Sequence, residues 1–175
     1  MITVTIPEAE LFDETTNEYI YTKKTTLVLE HSLVSVSKWE SKWEKPFLST
    51  KLTREQSVDY IRCMTITQNV DPNVYNVIPQ NVIKEVNDYI DSKQTATWFG
   101  GDTNKKAPKK IVTSELVYYW MISCGIPFEC QKWHLNRLIT LIRVCQEESQ
   151  PSKKMTNKER QALNMARRNK LKTKG

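Results

Sequence analysis

The longest apolar pattern in the chain runs from Val112 to Cys145 and predicts two helices joined by a short turn. A threonine–serine pair near its start supplies an N-cap for the first helix. Gly125 suits the left-handed position that often ends a helix, and Pro127 suits the first turn of the next one. Apolar residues at helical spacing then continue from Phe128 to Cys145. We therefore expect an antiparallel helical hairpin that serves as the spine of the fold.

Three shorter helical patterns precede this stretch. The first begins at Glu30 or His31 and continues to Glu44. The second opens with Thr53-Arg54-Glu55-Gln56, which matches a capping box, and the third opens at Pro79. Together with the apolar hairpin, these patterns predict a mainly helical domain.

The first 29 residues favour strands instead of helices. Ile2 to Ile6 alternates apolar and polar residues, and Pro7 either ends this strand or confines it to a sheet edge. Two further short strands flank a polar turn at residues 13–17, and Thr25 to Leu29 is either another strand or the entry to a helix. The predicted fold class is mainly α (α+β), with a small N-terminal antiparallel β element (about 1–29) in a single domain, 1–150.

The positive charge of the chain is concentrated at its C-terminal end. The net charge is +6, but the stretch from Lys153 to Gly175 holds nine Lys or Arg and one Glu, so it carries +8 and the remainder −2. Helix formers from Gln161 to Lys170 predict a short helix that orders on a partner. We expect residues 151–175 to form a basic C-terminal extension, and deleting Lys153 to Gly175 to leave the body folded.

The sequence predicts no catalytic residue, metal site or cofactor. Cys124, Cys130, His134 and Cys145 lack the close Cys-x-x-Cys pairs of structural zinc sites. A Cys130–His134 nucleophilic pair has the right spacing on a helix, but no residue that would orient the histidine can be identified. His31, at a helix start, favours a local hydrogen-bonding or capping role. The four cysteines are expected to be free thiols within apolar patterns.

The candidate contact residues are tryptophans and basic side chains. Trp39 and Trp43 lie one helical turn apart, so they form either part of the core or an exposed patch. Trp98 lies in an irregular stretch, residues 92–110, and could anchor it to the body. The predicted partner-binding residues are Trp39, Trp43, Trp98, Arg167, Arg168 and Lys170.

Neither a membrane nor the secretory route is indicated. The apolar runs are shorter than the roughly 20 residues that a membrane-spanning helix needs. The start, MITVTIPEAELF, lacks the basic segment and apolar block of a signal peptide. We therefore expect a cytoplasmic protein.

Several long segments resemble one family of proteins. They are LEHSLVSVSKWESKWEKPFLS, RCMTITQNVDPNVY, TSELVYYWMISCGIPFECQKWHLNRLITLIRVC and KKMTNKERQALNMARRNKLKTKG. The family comprises tail assembly chaperone-like, or tail morphogenesis, proteins of tailed bacteriophages. The resemblance implies a non-enzymatic protein that binds tail or tape-measure proteins in the host cytoplasm during infection. It brings no site residues with it.

Two other functions are compatible with the sequence. The protein could be a structural component of the virion, such as a connector or tail protein. It could also bind nucleic acid through its basic extension, although the extension lacks the interleaved aromatic residues that stack on single-stranded bases. A phage protein partner remains the favoured expectation, and self-association stays open.

Overall fold

The computed structural model describes residues 1–13, 17–97, 99, 111–149 and 157–171. It confirms the expected fold class, which is mainly α with a small antiparallel β element at the N-terminus. One compact unit comprises Met1–Cys145 and a second comprises Gln146–Gly175, compared with a predicted division after residue 150. No helix in the described ranges is long and apolar enough to cross a membrane.

Four strands form one long antiparallel ribbon. Their bounds are Ile2–Ile6 (β1), Ala9–Asp13 (β2), Glu18–Thr22 (β3) and Thr25–Leu29 (β4). β1 pairs with β4 and β2 pairs with β3, and both pairs keep the same register, because Ile6 faces Thr25 and Ala9 faces Thr22. As predicted, β1 ends before Pro7, which cannot donate to a strand ladder.

The two halves of the ribbon differ in burial. In the β1/β4 half, alternate residues enter the core, and Val4, Ile6, Leu27 and Leu29 are almost completely buried. In the β2/β3 half, the large side chains on one face remain exposed, while β3 contacts the 3-10 segment Pro72–Val77. The ribbon therefore has a core end and a surface end.

Helix α1 (Leu33–Trp43) is the central helix of the larger unit. Ser32 caps its first turn by accepting a hydrogen bond from the Ser35 amide at 3.2 Å. Its last turn closes at Glu44, which has a φ of 51°. The helix packs against α2 (Arg54–Met64), α4 (Ser114–Ser123) and the 3-10 segments Phe47–Ser49 and Phe128–Lys132.

Several predicted helix ends are confirmed. The capping box forms at α2, where the Gln56 amide donates to Thr53 Oγ1 at 3.3 Å and the Thr53 amide donates to Gln56 Oε1 at 3.0 Å. Helix α3 (Gln80–Asp91) follows Pro79. At the end of α4, Gly125 has a φ of 65°, and the Ile126 amide donates to the Met121 carbonyl at 2.9 Å. This left-handed closure is the Schellman arrangement.

The predicted helical spine is corrected in two ways. The stretch from Phe128 to Cys145 is not one helix, because the 3-10 segment Phe128–Lys132 is followed by a break and then by α5 (Leu135–Glu148). At the break, His134 pairs with Ser32 in a β-bridge, and the Leu135 amide donates to the His31 carbonyl at 2.8 Å. The contacts with distant elements are therefore centred on α1 instead of on a helical hairpin.

The C-terminal unit contains helix α6 (Asn157–Leu171), which includes the helical stretch predicted from residue 161 to 170. Residues 160–167 of this helix are exposed. The sequence Thr156-Asn157-Lys158-Glu159 also predicts a capping box at the start of this helix, but Thr156 lies outside the described residues.

The carboxylate of Glu40 joins α1 to two distant segments. Its Oε1 accepts a hydrogen bond from the Phe47 amide at 2.8 Å, and its Oε2 accepts one from the Ser114 amide at 2.7 Å. Ser114 is the first residue of α4, where free amides and the helix dipole favour a negative charge. Because Glu40 is only 8% exposed, both bonds form away from water.

Replacing Glu40 with Gln should lower the free energy of unfolding by about 2 kcal/mol, a typical value for the loss of a hydrogen bond to a buried charged group. The amide can offer its oxygen to only one of the two backbone donors and would direct its own N–H groups at the other. Urea unfolding would measure the effect. Glu44→Gln, on the exposed end of the same helix, is the matched control and should change stability by less than about 0.5 kcal/mol. Equal effects of the two substitutions would contradict this role for Glu40.

Candidate functional site

A groove of about 570 Å³ opens between the end of α1, α2 and the 3-10 segment Pro72–Val77. Aromatic, apolar and charged side chains from the three elements form its walls. The lining residues are Lys42, Trp43, Arg54, Glu55, Val58, Asp59, Arg62, Tyr75 and Asn76. Its volume lies in the range of roughly 300–1,000 Å³ that is usual for small-molecule sites.

Asp59 holds one wall of the groove in place. Its Oδ2 accepts a hydrogen bond from Trp43 Nε1 at 2.8 Å, and its Oδ1 forms an ion pair with Lys42. Because Asp59 is only 8% exposed, this pairing compensates a carboxylate that is largely withdrawn from water. The Trp43 ring also stacks on Trp39, with the ring centroids 6.1 Å apart. The tryptophan wall is therefore fixed before any ligand arrives.

Two arginines of α2 provide the remaining positive charge of the groove. The Arg62 guanidinium lies over the Tyr75 ring, 4.9 Å from its centroid. Tyr75 is itself held by a 3.0 Å hydrogen bond from its hydroxyl to Thr65. Arg54 donates to the Gln80 side chain at 3.0 Å. Both guanidinium groups are thus oriented by neutral partners.

The two tryptophans of α1 that are predicted to contact a partner differ in burial. Trp39 is 0% exposed, and its indole Nε1 donates to the Gln56 carbonyl at 3.1 Å, so the prediction that it contacts a partner is corrected to a core role. Trp43 is half-buried and lines the groove. Trp98 lies outside the described residues.

The basic residues proposed on the C-terminal extension belong to α6. Arg167 is exposed on this helix. Arg168 and Lys170 lie within the helix bounds, but their side chains are outside the described part of the structure. Their role in binding a partner stays a prediction.

The two histidines of the chain meet in the core. Their ring centroids are 5.0 Å apart, and His31 Nδ1 lies 2.5 Å from the Tyr60 hydroxyl oxygen. Burial, together with the nearby His134, lowers the pKa of His31 to about 3. His31 is therefore a neutral core residue, and the expected local hydrogen-bonding role at the helix start is replaced by a contact with α2.

His134 is not available as a base for Cys130. Its Nε2 lies 3.1 Å from the Tyr89 carbonyl oxygen, and its Nδ1 accepts a hydrogen bond from the Asn136 amide at 3.3 Å. This arrangement leaves Nε2 as the donor and makes the ring neutral. Burial also lowers the pKa of His134. The ring thus fixes the break before α5, because it connects that break to the end of α3.

The cysteines are free thiols, as expected. Cys130 is buried. Burial, together with the neighbouring Cys145, raises the pKa of the Cys124 thiol. No group of three His, Cys, Asp or Glu side chains in the described residues is arranged to hold a metal ion.

A second candidate surface lies on the exposed end of the ribbon. Phe12, Tyr19 and Tyr21 project from one face of β2 and β3 and are 47%, 61% and 71% exposed. Phe12 and Tyr19 face each other across the strands, with ring centroids 5.0 Å apart. Tyr21 faces Glu10, and its hydrogen bond to that residue raises the pKa of its hydroxyl. We call these three residues the aromatic face.

The sequence carries local signals for parts of both surfaces. Arg54, within the predicted capping box, is followed by Val58 and Arg62 at intervals of four residues, which places the three along one side of a helix. Tyr19 and Tyr21 alternate as residues of one strand face. Tyr75 carried no comparable signal, because its place beside Arg62 depends on how the 3-10 segment packs.

No known protein family, curated protein or solved structure matches this chain.

The low pKa of His31 predicts a stability that falls in acid. Between its ordinary pKa of 6.5 and its folded pKa of about 3, the unfolded chain binds a proton that the folded chain excludes. The contribution of neutral His31 to the free energy of unfolding is therefore complete above pH 6.5. It is lost as the pH falls, by about 2 kcal/mol between pH 7 and pH 5. Urea unfolding at several pH values should show a shallower decline for His31→Gln than for the unchanged protein. Because this substitution also alters the contact with Tyr60, the slope and not the absolute stability is diagnostic, and parallel declines would contradict the assignment.

Proposed function

We propose that this protein is a non-enzymatic assembly factor of a tailed bacteriophage, which binds a tail or tape-measure protein in the host cytoplasm during infection. The phage assignment rests on the resemblance of four long segments to tail assembly chaperone-like proteins. The binding role is supported by an observation on the molecule itself, the aromatic face of the ribbon.

The aromatic face combines exposure with a prearranged geometry. Its three rings are more than two-fifths exposed, although comparable aromatic side chains elsewhere, such as Trp39 and Tyr60, are almost fully buried. Aromatic residues supply large contact areas at a small loss of side-chain freedom and are enriched in protein interfaces. The two paired strands hold the rings on one side, so a partner would meet an ordered surface.

The ribbon end also gains from having a partner. β2 and β3 form a two-stranded sheet in the described part of the chain, and such a hairpin is marginally stable when it stands alone. Contact with the 3-10 segment Pro72–Val77 supports it from one side. A protein that covers Phe12, Tyr19 and Tyr21 would remove apolar area from water and stabilise the hairpin further.

Helix α6 supports a second candidate, the binding of nucleic acid. Arg160 and Arg167 are exposed on this helix, and the whole extension from Lys153 to Gly175 carries +8. Contacts between such a helix and phosphates would weaken steeply with salt. A basic helix equally suits an acidic protein surface. The identity of the captured partner therefore distinguishes nucleic-acid binding from protein binding by α6.

The first test is an affinity pull-down from infected cells after nuclease treatment, with the captured proteins identified by mass spectrometry. The unchanged protein should recover a tape-measure or tail protein. Tyr19→Ser/Tyr21→Ser should reduce that recovery several-fold and leave the melting temperature nearly unchanged, because both side chains are exposed.

The matched control is Tyr119→Ser/Ile122→Ser, which removes two apolar side chains of α4 that are each 62% exposed. This variant should bind like the unchanged protein. Equal losses in both variants would indicate nonspecific hydrophobic capture and reject the aromatic face as the site. No protein captured after nuclease treatment, with nucleic acid captured in a parallel pull-down without nuclease, would overturn the assembly role.

Deletion of Lys153 to Gly175 tests the contribution of the basic extension. The remaining chain contains the whole compact unit Met1–Cys145 and should melt cooperatively at nearly the same temperature. In the same pull-down it should recover less partner, because the extension carries +8 whereas the rest of the chain carries −2. Loss of the cooperative transition, measured by circular dichroism, would contradict a separable extension.

A further inference from the structure

One side of α2 presents a regular line of residues to the groove. Arg54, Val58 and Arg62 all line it and follow one another at intervals of four residues. At a rise of 1.5 Å per residue, the two arginines are about 12 Å apart along the helix axis. An apolar side chain therefore lies midway between two cationic ones.

The charges of the groove leave these two arginines free to bind a ligand. Lys42 is paired with Asp59, whereas neither Arg54 nor Arg62 has a carboxylate within ion-pair distance among the described residues. Glu55 is the remaining acidic side chain in the lining. The Tyr75 ring and the Gln80 side chain hold the guanidinium groups in place, so less freedom is lost when a carboxylate arrives.

We propose that the groove binds an extended peptide segment with acidic residues at its first and fifth positions and an apolar residue at its third. In an extended chain these positions share one face and span about 13 Å, close to the separation of the two arginines. The acidic side chains would meet Arg54 and Arg62, and the apolar one would meet Val58 and the exposed part of the Trp43 ring.

The lining favours such a peptide over a nucleic acid strand. Glu55 carries negative charge beside the line of arginines and lines the groove, whereas the charge of Asp59 is compensated by Lys42. A strand with a phosphate at every nucleotide would meet the Glu55 carboxylate as well as the arginines. A peptide whose acidic residues are separated by neutral ones meets only the cationic positions. Charge complementarity therefore selects the spacing as well as the sign of the ligand.

This inference deepens the proposed function and rests on it for the statement that the natural ligand belongs to a partner protein. The site itself can be tested without that partner, by fluorescence anisotropy of labelled synthetic peptides with the full chain at low salt. Three peptides with identical Gly-Ser flanks would be compared: Glu-Ser-Leu-Ser-Glu, the rearranged Glu-Glu-Leu-Ser-Ser, and the charge-reversed Lys-Ser-Leu-Ser-Lys.

The first peptide should bind about tenfold more tightly than the rearranged one, as expected when one of two charge-assisted contacts is lost. The charge-reversed peptide should not bind. Arg54→Gln and Arg62→Gln should each weaken binding of the first peptide by about tenfold. Arg62→Glu should restore binding to a peptide in which one Glu is replaced by Lys, which a general loss of structure would not do.

Arg137→Gln is the matched control. Its guanidinium also lies over an aromatic ring, 4.2 Å from the Trp133 centroid, but it is outside the groove. The variant should bind the first peptide normally. Melting temperatures would identify any variant that fails to fold. Arg54 also donates a hydrogen bond to the Gln80 side chain, so Arg54→Gln could lower stability for a reason unrelated to binding. If that variant fails to fold, Arg62→Gln alone tests the site.

Four outcomes would overturn the proposal: no peptide binds, both acidic peptides bind equally, Arg137→Gln weakens binding as much as Arg62→Gln, or an oligothymidylate binds more tightly than the first peptide.

These outcomes are separable from those of the pull-down. Peptide binding without capture of a tail protein would reject the phage role and keep the groove. Capture unaffected by Arg62→Gln, with no peptide bound, would keep the phage role and reject the groove.

Discussion

The hydrogen bonds of the buried Glu40 carboxylate fix the relative positions of three separate parts of the chain. Glu40 lies on α1, and Phe47 begins the 3-10 segment that follows this helix. Ser114 begins α4, 74 positions after Glu40. A buried charge is tolerated only where several polar groups compensate it, so the two amides and the carboxylate depend on one another. This requirement brings α4 onto α1 and leaves α1 at the centre of the larger unit.

The two candidate surfaces depend on this centre in different ways. Trp43 is the last residue of α1, and its indole donates a hydrogen bond to Asp59 of α2. The groove wall that Trp43 forms is therefore packed against the body and has a fixed shape. The aromatic face lies on the half of the ribbon that contributes less to the core. The groove therefore offers a preformed, charged site, whereas Phe12 and Tyr19 offer a contact surface that a partner would also stabilise.

The buried histidines illustrate how a polar pair can serve the fold instead of chemistry. His31 contacts Tyr60, and both ring nitrogens of His134 are engaged by backbone groups. Neutral imidazoles that hydrogen-bond to neighbouring groups are less costly in this space than buried polar atoms left unpaired. The backbone bridge of His134 with Ser32 interrupts the chain between the 3-10 segment Phe128–Lys132 and α5, where a continuous helix was predicted.

The sequence alone determined the local elements. Alternation specified the strands, the box at Thr53 and Gln56 specified the start of α2, and Gly125 specified the end of α4, because each signal acts within a few residues. It also separated the basic extension from the body by charge. The line of Arg54, Val58 and Arg62 could have been found in the same way.

Only the tertiary structure decided which of these elements meet and which side chains remain accessible. It buried Trp39 and left Trp43 half-buried, although the two have the same spacing and chemistry in the sequence. It divided the second half of the apolar stretch at His134 into a 3-10 segment and α5, because the backbone there pairs with Ser32, about 100 residues earlier. Such pairings depend on the summed packing of distant segments, which helical periodicity and capping residues do not encode.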